Sequence, residues 1–328
     1  MTDIIIRTSG HAGHITLNRP KALNALTWDM CLAIEAALDD WKDNPKIALV
    51  IIDGAGDRAF CSGGDIAEMY ATGKRGDYDY GQRFWRDEYR LNAKIYDYPK
   101  PIVTFLQGFT MGGGVGVGCH GSHRIVCESS QIAMPECSIG LVPDVGGSLI
   151  LAKAPGHCGE FLGLTGQRMD AGDAIYAGFA DHFVPEGDWD ALKGQLIATG
   201  HPDIPQPTRP DSQLQAWQHD IDAFFTQGTD SPAAQQAQKL MGRNAPLAMA
   251  VCRQILSAVR ANPDIKTALD HEFRYTYRCG AQGDFIEGIR AAIIDRDKSP
   301  KWQLATTEQI AAMTAPLGND ALQWEETS

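Results

Sequence analysis

The sequence has no CxxC pair, no apolar run long enough to cross a bilayer, no excess of positive charge and no GxSxG serine-hydrolase elbow. Each absence excludes a class of protein. The eight cysteines, Cys31, Cys61, Cys119, Cys127, Cys137, Cys158, Cys252 and Cys279, fall mostly within apolar strand or helix patterns, which suits reduced, buried thiols in a cytoplasmic protein. The longest strongly apolar run, Ile47 to Ile52, stops at Asp53, far short of a membrane span. The opening MTDIIIRTSG carries an acid at Asp3 and only three consecutive apolar residues, so no secretory signal is expected. With 29 basic against 41 acidic side chains the net charge is -12, which repels phosphate backbones and anionic membranes. Neither nucleic acid nor a membrane is an expected partner. A small anion remains open, because helix N-termini bind phosphate whatever the global charge. Ser62 follows Phe60-Cys61 and Ser122 precedes His123, so neither sits in a hydrolase elbow.

What is present is ordinary globular composition: 328 residues, 44% apolar and 21% charged, predict one large domain or two modest ones. Ile47 to Ile52, Ile102 to Leu106 and Arg124 to Cys127 read as buried strands. Between them, Trp28, Cys31, Ile34, Leu38 and Trp41 recur at helical spacing behind the N-cap Thr27, and Gly81 to Tyr96 is a second helix candidate. Strand alternating with helix predicts an α/β core over residues 1–198. Pro202, Pro205, Pro207 and Pro210 exclude a helix or a central strand from 199–212, which reads as a linker. Residues 213–302 are helical in pattern: Ser231-Pro232 is a helix start, and Asp284 with Glu287 reads as a capping box. The polar tail, 303–328, is expected to fray.

Two glycine-rich segments follow strands and precede helices: Phe60 to Ile66, with Gly63-Gly64, and Thr110 to Gly116, with Gly112-Gly113-Gly114. Glycine lets the backbone turn tightly, and the first amides of a helix lack internal partners and carry its positive dipole end. Two such turns converging would cradle an anion or a polarised carbonyl oxygen. Either segment alone is equally well read as a tight strand-to-helix turn. Glu136, in Ile132-Ala133-Met134-Pro135-Glu136, and Asp144, in Leu141-Val142-Pro143-Asp144-Val145-Gly146-Gly147, are acids in apolar frames, where desolvation raises a carboxyl pKa as acid-base chemistry needs. The structural alternatives are that Asp144 caps a helix starting near Gly146 and that Glu136 pairs with Arg124.

Other chemistries are weaker. Gly116, Gly118 and Gly121 satisfy GxGxxG with Glu136 twenty residues after Gly116, but the pattern begins well after its strand. His120 and His123 could ligate a metal with Glu128 or Cys127, yet a helix-to-strand junction explains them better, so no metal is expected. Cys61 has no identifiable base and reads as core. The run His271 to Arg278 reads most simply as a helix with a solvated charged face, with packing on a neighbouring subunit as the alternative.

The ordered set Asn18-Arg19-Pro20 with Asn24-Ala25-Leu26, AFCSGGDI at 59–66, TMGGGVG at 110–116, AMPE at 133–136 and GLVPDVGG at 140–147 resembles the crotonase superfamily of acyl-coenzyme A enzymes. FWRDEYRLN at 84–92 and IDRDKSPKW at 294–302, with PDVGG, most resemble its 3-hydroxyisobutyryl-CoA hydrolase branch in valine breakdown. The resemblance implies a crotonase-like α/β spiral of repeated ββα units with a helical C-terminal region. It implies a thioester carbonyl held by the amides of Gly64 and Gly113, and substrate contacts from Glu88, Glu136 and Asp144. Without it, Glu88 reads as a charge on an exposed helix face. Coenzyme A would be part of the substrate, with no separate cofactor, and association into a homo-oligomer is left open. Hydratases of this superfamily place a second catalytic glutamate where this chain has Gly116, so hydration would lack half its acid-base pair and thioester hydrolysis is favoured.

Overall fold

The structure, a computed structural model, describes residues 2–206 and 208–324. The chain forms two compact units, each assembled from three stretches: Met1–Gly64, Leu91–Ala133 and Arg168–Ala216 in the first, and Asp65–Arg90, Met134–Gln167 and Trp217–Ser328 in the second. Neither is a sequential block of the chain.

The first unit holds the nine strands found among the described residues: β1 (Ile4–Ser9), β2 (Ala12–Leu17), β3 (Leu49–Gly54), β4 (Ala59–Cys61), β5 (Ile102–Phe105), β6 (Phe109–Met111), β7 (His123–Val126), β8 (Gln131–Ala133) and β9 (His182–Phe183). They make a six-stranded sheet in the order β1-β2-β3-β5-β7-β9 and a three-stranded sheet in the order β4-β6-β8. Among the strand pairs of the described residues, β1/β2 is antiparallel and the other six are parallel. Each of the pairs β3/β4, β5/β6 and β7/β8 sends its first strand to the large sheet and its second to the small one before the chain turns into a helix or a 3-10 turn. Repetition of that ββα step is the spiral. The apolar run from Ile47 is buried in β3 because a parallel strand between parallel neighbours has both faces covered.

Thr27 caps the helix Trp28–Lys42, its side chain accepting from the Met30 amide, and Ile34, Leu38 and Trp41 are buried as the periodicity predicts. Trp41 lies so close to β2 that a Cβ on Gly13 would sit 2.3 Å from the indole ring. Ile51, Val103, Phe105 and Ile125 pack against Trp189, Leu192 and Leu196 of the helix Trp189–Thr199. Gly200 ends that helix in the left-handed conformation, and no helix or strand runs through the described residues of 200–212; Pro207 lies outside them.

The second unit is helical. Ser231 caps Pro232–Met241 with Pro232 at its first position, as expected. The capping box at Asp284 and Glu287 does not form: Asp284 instead accepts from the Gln303 amide, and Glu287 pairs with Arg290. A capping box does occur at Thr306 and Gln309, opening the helix Thr307–Thr314, which buries Met313. The described part of the tail thus carries a capped helix, and Trp324 adds a further tie by donating to Asp270. Residues 325–328 lie outside the description. Among the described residues, no helix is long and apolar enough to cross a membrane.

Candidate active site

In the first unit, β4 and β6 run parallel with Cys61 opposite Thr110, so the two glycine turns leave the same end of the small sheet side by side. Gly63 turns at φ 117°, and a Cβ there would lie 3.5 Å from the Met111 carbonyl oxygen. Gly112, at φ 49°, starts the helix Gly113–Gly118, which makes the Gly113 amide one of the donors a helix cannot satisfy internally. Gly114 meets β4 so closely that a Cβ would be 2.4 Å from the Cys61 carbonyl oxygen. The glycines of this segment are thus required by approach to the neighbouring turn as well as by the turn itself.

The second unit brings together Glu88, Glu136 and Asp144, all buried. Glu88 lies on the helix Asp79–Tyr96, Glu136 opens a 3-10 turn after Pro135, and Asp144 precedes the helix Gly147–Lys153. The reading of Glu88 as an exposed charge fails: it is 3% exposed. Among the described residues, neither Glu88 Oε1 nor Glu136 Oε2 has a hydrogen-bond partner. Burial, and then the Asp144 carboxylate, pushes both glutamates well above the usual range. Burial lifts Asp144 to about 7, although the Tyr89 hydroxyl, donating to Oδ2 at 2.8 Å, pulls in the opposite direction. Such a cluster releases its protons as a set, not as separate residues.

This cluster sets a sign for stability. Between the unfolded value of 4.5 and its raised folded value, Glu88 keeps a proton in the folded state that the unfolded chain has lost, so stability falls as pH rises through that window. Glu88→Gln should raise Tm at about pH 8, on the order of 2 °C or more, with the gain vanishing near pH 4. Thermal melts across that range check it; a gain larger at the acidic end would contradict the burial argument.

Two structural alternatives are removed. Asp144 does not cap the following helix with its side chain; Glu272 does, accepting from the Gly146 amide at 2.8 Å and the Ser148 amide at 3.1 Å. Glu136 does not pair with Arg124, whose guanidinium is held by Asp181 at 2.6 Å. Tyr89 and Glu272 were missed in the sequence. For Glu272 a signal existed: it falls on the apolar stripe Ile265, Leu269, Phe273, Thr276 and Cys279, and it is fully buried, contrary to the solvated face expected of that run.

The weaker candidates stay outside the chemistry. Gly116 and Gly118 lie within a helix, and Gly118 gives room to Leu106 and Phe60, so the GxGxxG match reflects close packing. Cys61 is buried, with its Sγ donating to the Gly63 carbonyl oxygen. His123 stacks on His182, and among the described residues no three His, Cys, Asp or Glu side chains cluster as metal ligands. A cavity of about 910 Å³ in the first unit is lined by His123, Asp181, His182 and Arg209, and by none of the five expected site residues.

Comparison with known proteins extends this geometry. The family model for enoyl-CoA hydratase/isomerase matches residues 12–315. The chain belongs to that family. Relatives in this crotonase family include the "3-hydroxyisobutyryl-CoA hydrolase, mitochondrial" of Gallus gallus, 35% identical over 98% of this chain and 91% of that protein. The Danio rerio protein of the same name is 37% identical over 94% of this chain and 87% of its own length. Among solved structures, an enoyl-CoA hydratase from Rhodobacter sphaeroides 2.4.1 is 51% identical with a TM-score of 0.96, covering 98% of this chain and all 100% of that one. A carnitinyl-CoA dehydratase from Mycobacterium thermoresistibile is 36% identical with a TM-score of 0.93, covering 99% of this chain and 100% of that one. The expected crotonase-like α/β fold with its helical C-terminal region is therefore the fold of this chain.

Proposed function

We propose that this chain is an acyl-CoA thioester hydrolase that converts 3-hydroxyisobutyryl-CoA and water to 3-hydroxyisobutyrate and coenzyme A, a step of valine breakdown. The observation that carries the reading is Gly116, a buried glycine inside the helix Gly113–Gly118 at the position where a hydratase of this family needs its second glutamate. Adding water to a double bond needs two acid-base groups, whereas a thioester needs a polarised carbonyl, an attacking oxygen and a thiolate stable enough to leave. The vertebrate relatives are named for this hydrolysis, which supports the same choice.

In this reading the Gly64 and Gly113 amides form the oxyanion hole, and Glu136 takes a proton from water as its oxygen attacks the carbonyl carbon. The tetrahedral oxyanion collapses, the carbon–sulfur bond breaks, and Glu136 returns the proton to the departing thiolate. The alternative route has Glu136 itself attack, expelling the thiolate and leaving a mixed anhydride that water then opens at the Glu136 carbonyl carbon, giving two carboxylates and two protons, one of which goes to the thiolate. A single turnover in ¹⁸O water separates them, since only the anhydride route labels the Glu136 carboxylate. Asp144 orients the 3-hydroxyl or the water, and Glu88 contacts the substrate. Coenzyme A is part of the substrate, and neither step calls for a metal or a separate cofactor. Eight buried cysteines outside any disulfide among the described residues suit a reducing compartment, the cytoplasm of our reading, while the vertebrate relatives are named mitochondrial.

Incubation with 3-hydroxyisobutyryl-CoA and a thiol reagent tests the proposal. Release of free coenzyme A at enzymic rates is expected. Loss of enoyl absorbance from crotonyl-CoA, without thiol release from the hydroxyacyl ester, would instead place the chain with the hydratases, as the Rhodobacter sphaeroides structure is titled.

A further inference from the structure

The turn that carries Asp144 is held by a residue far away in sequence. Val145 sits in the left-handed region at φ 54°, and Gly146 follows at φ 77°. A β-branched side chain is strained there, and such strain persists only where the surroundings over-determine it. Gly146, the N-cap of Gly147–Lys153, has no side chain with which to satisfy the exposed amides. The Glu272 carboxylate takes that place. Oε2 accepts from the Gly146 amide at 2.8 Å, and Oε1 accepts from the Ser148 amide at 3.1 Å and from the Ser148 hydroxyl. A local serine or asparagine caps helices without burying an acid, so a fully buried carboxyl group in this role calls for more than capping. The same turn is closed by the Gly147 amide donating to the Asp144 carbonyl at 2.7 Å, and the Asp144 carboxylate is met by Tyr89.

We infer that Glu272 is a positioning residue for Asp144: by clamping Gly146 and Ser148 it fixes the strained turn and thereby the direction of the Asp144 carboxylate. Glu272 does not itself touch substrate. The clamp is two-pronged, one oxygen on each side of Gly147, which sets the rotation of the turn as well as its position. This inference rests on the role proposed above for Asp144.

Glu272→Gln in the full chain tests it. A carboxamide has one acceptor oxygen, and its NH₂ would face a donor, so at least one clamp bond is lost. The expected result is a kcat reduced roughly 100-fold with KM within about threefold of wild type and an unchanged far-UV circular dichroism spectrum, the signature of a misaimed group. Glu272→Asp keeps both oxygens but withdraws them by one methylene, and should recover about a tenth of wild-type kcat; it also serves if the Gln variant does not fold. A folded variant with kcat within about threefold of wild type, or a KM rise matching the fall in kcat, would overturn the inference. Failure of both variants to fold would also count against it, because support of the helix alone would then explain the carboxylate. The ratios are read on whichever acyl-CoA the wild type turns over. Wild-type inertness toward 3-hydroxyisobutyryl-CoA would thus sink the hydrolase reading and leave this one standing or falling separately.

Discussion

Glu136→Gln leaves the protein folded and able to bind an acyl-CoA, and lowers turnover by about 100- to 10,000-fold, the usual range for losing a positioned acid-base group. The amide keeps the shape of the side chain but can neither take nor return a proton. Glu136 is buried with Oε2 unpartnered among the described residues, so its replacement breaks no bond at that atom. Its removal also takes out an acid held well above the ordinary range by burial and by Asp144, which should hold or raise stability at neutral pH. A catalytic collapse without a drop in Tm is therefore the expected pair of results. Steady-state kinetics with coenzyme A inhibition as the binding readout checks both halves; turnover within about tenfold of wild type would remove Glu136 from the chemistry.

The second large effect is mechanical. Gly114→Ala places a methyl 2.4 Å from the Cys61 carbonyl oxygen and 2.9 Å from the Cys61 Cβ. The nearest atom is backbone of β4, which cannot swing away as the end of a long side chain can. The helix Gly113–Gly118 must lift off the strand, carrying the Gly113 amide away from the Gly64 turn. Loss of one oxyanion donor costs about 100- to 1,000-fold in rate, and overpacking of a buried contact costs about 1–3 kcal/mol. Both a fall in kcat and a lower Tm are expected. Gly187→Ala is the control, since a Cβ at Gly187 meets nothing within 4 Å. Equal kinetics for the two variants would show that the close approach of helix and strand has no bearing on the reaction.

Much of the fold was legible in local pattern. The β-branched run ending at Asp53 is β3, shifted by two residues, and the caps at Thr27 and Ser231 stand where the sequence places them. By contrast β4, β6 and β8 have three residues each, too few to establish a period, and the small sheet could not be read. Asp284 and Glu287 have the spacing of a capping box, but partners from residues 290–303 claimed both carboxylates.

The sequence by itself determined the two glycine turns and the identity of the acids, because turn chemistry and residue type are local properties; the glycine at position 116 became informative only through the resemblance to the crotonase superfamily. The apolar frames of Glu136 and Asp144 already pointed to burial, but only the tertiary structure decided that Glu88 and Glu272 are buried with them and what holds each carboxylate. Glu88 looked like one more charge on a helix of charges, and Glu272 like part of a solvated face, until the second unit closed around them. The reason is physical. A carboxyl group's proton affinity depends on the water removed from it and on the charges and donors brought near it. For Asp144 these come from Tyr89, 55 residues earlier, and for its turn from Glu272, 126 residues after Gly146. No stretch of sequence short enough to carry a periodic signal contains both ends of such a contact.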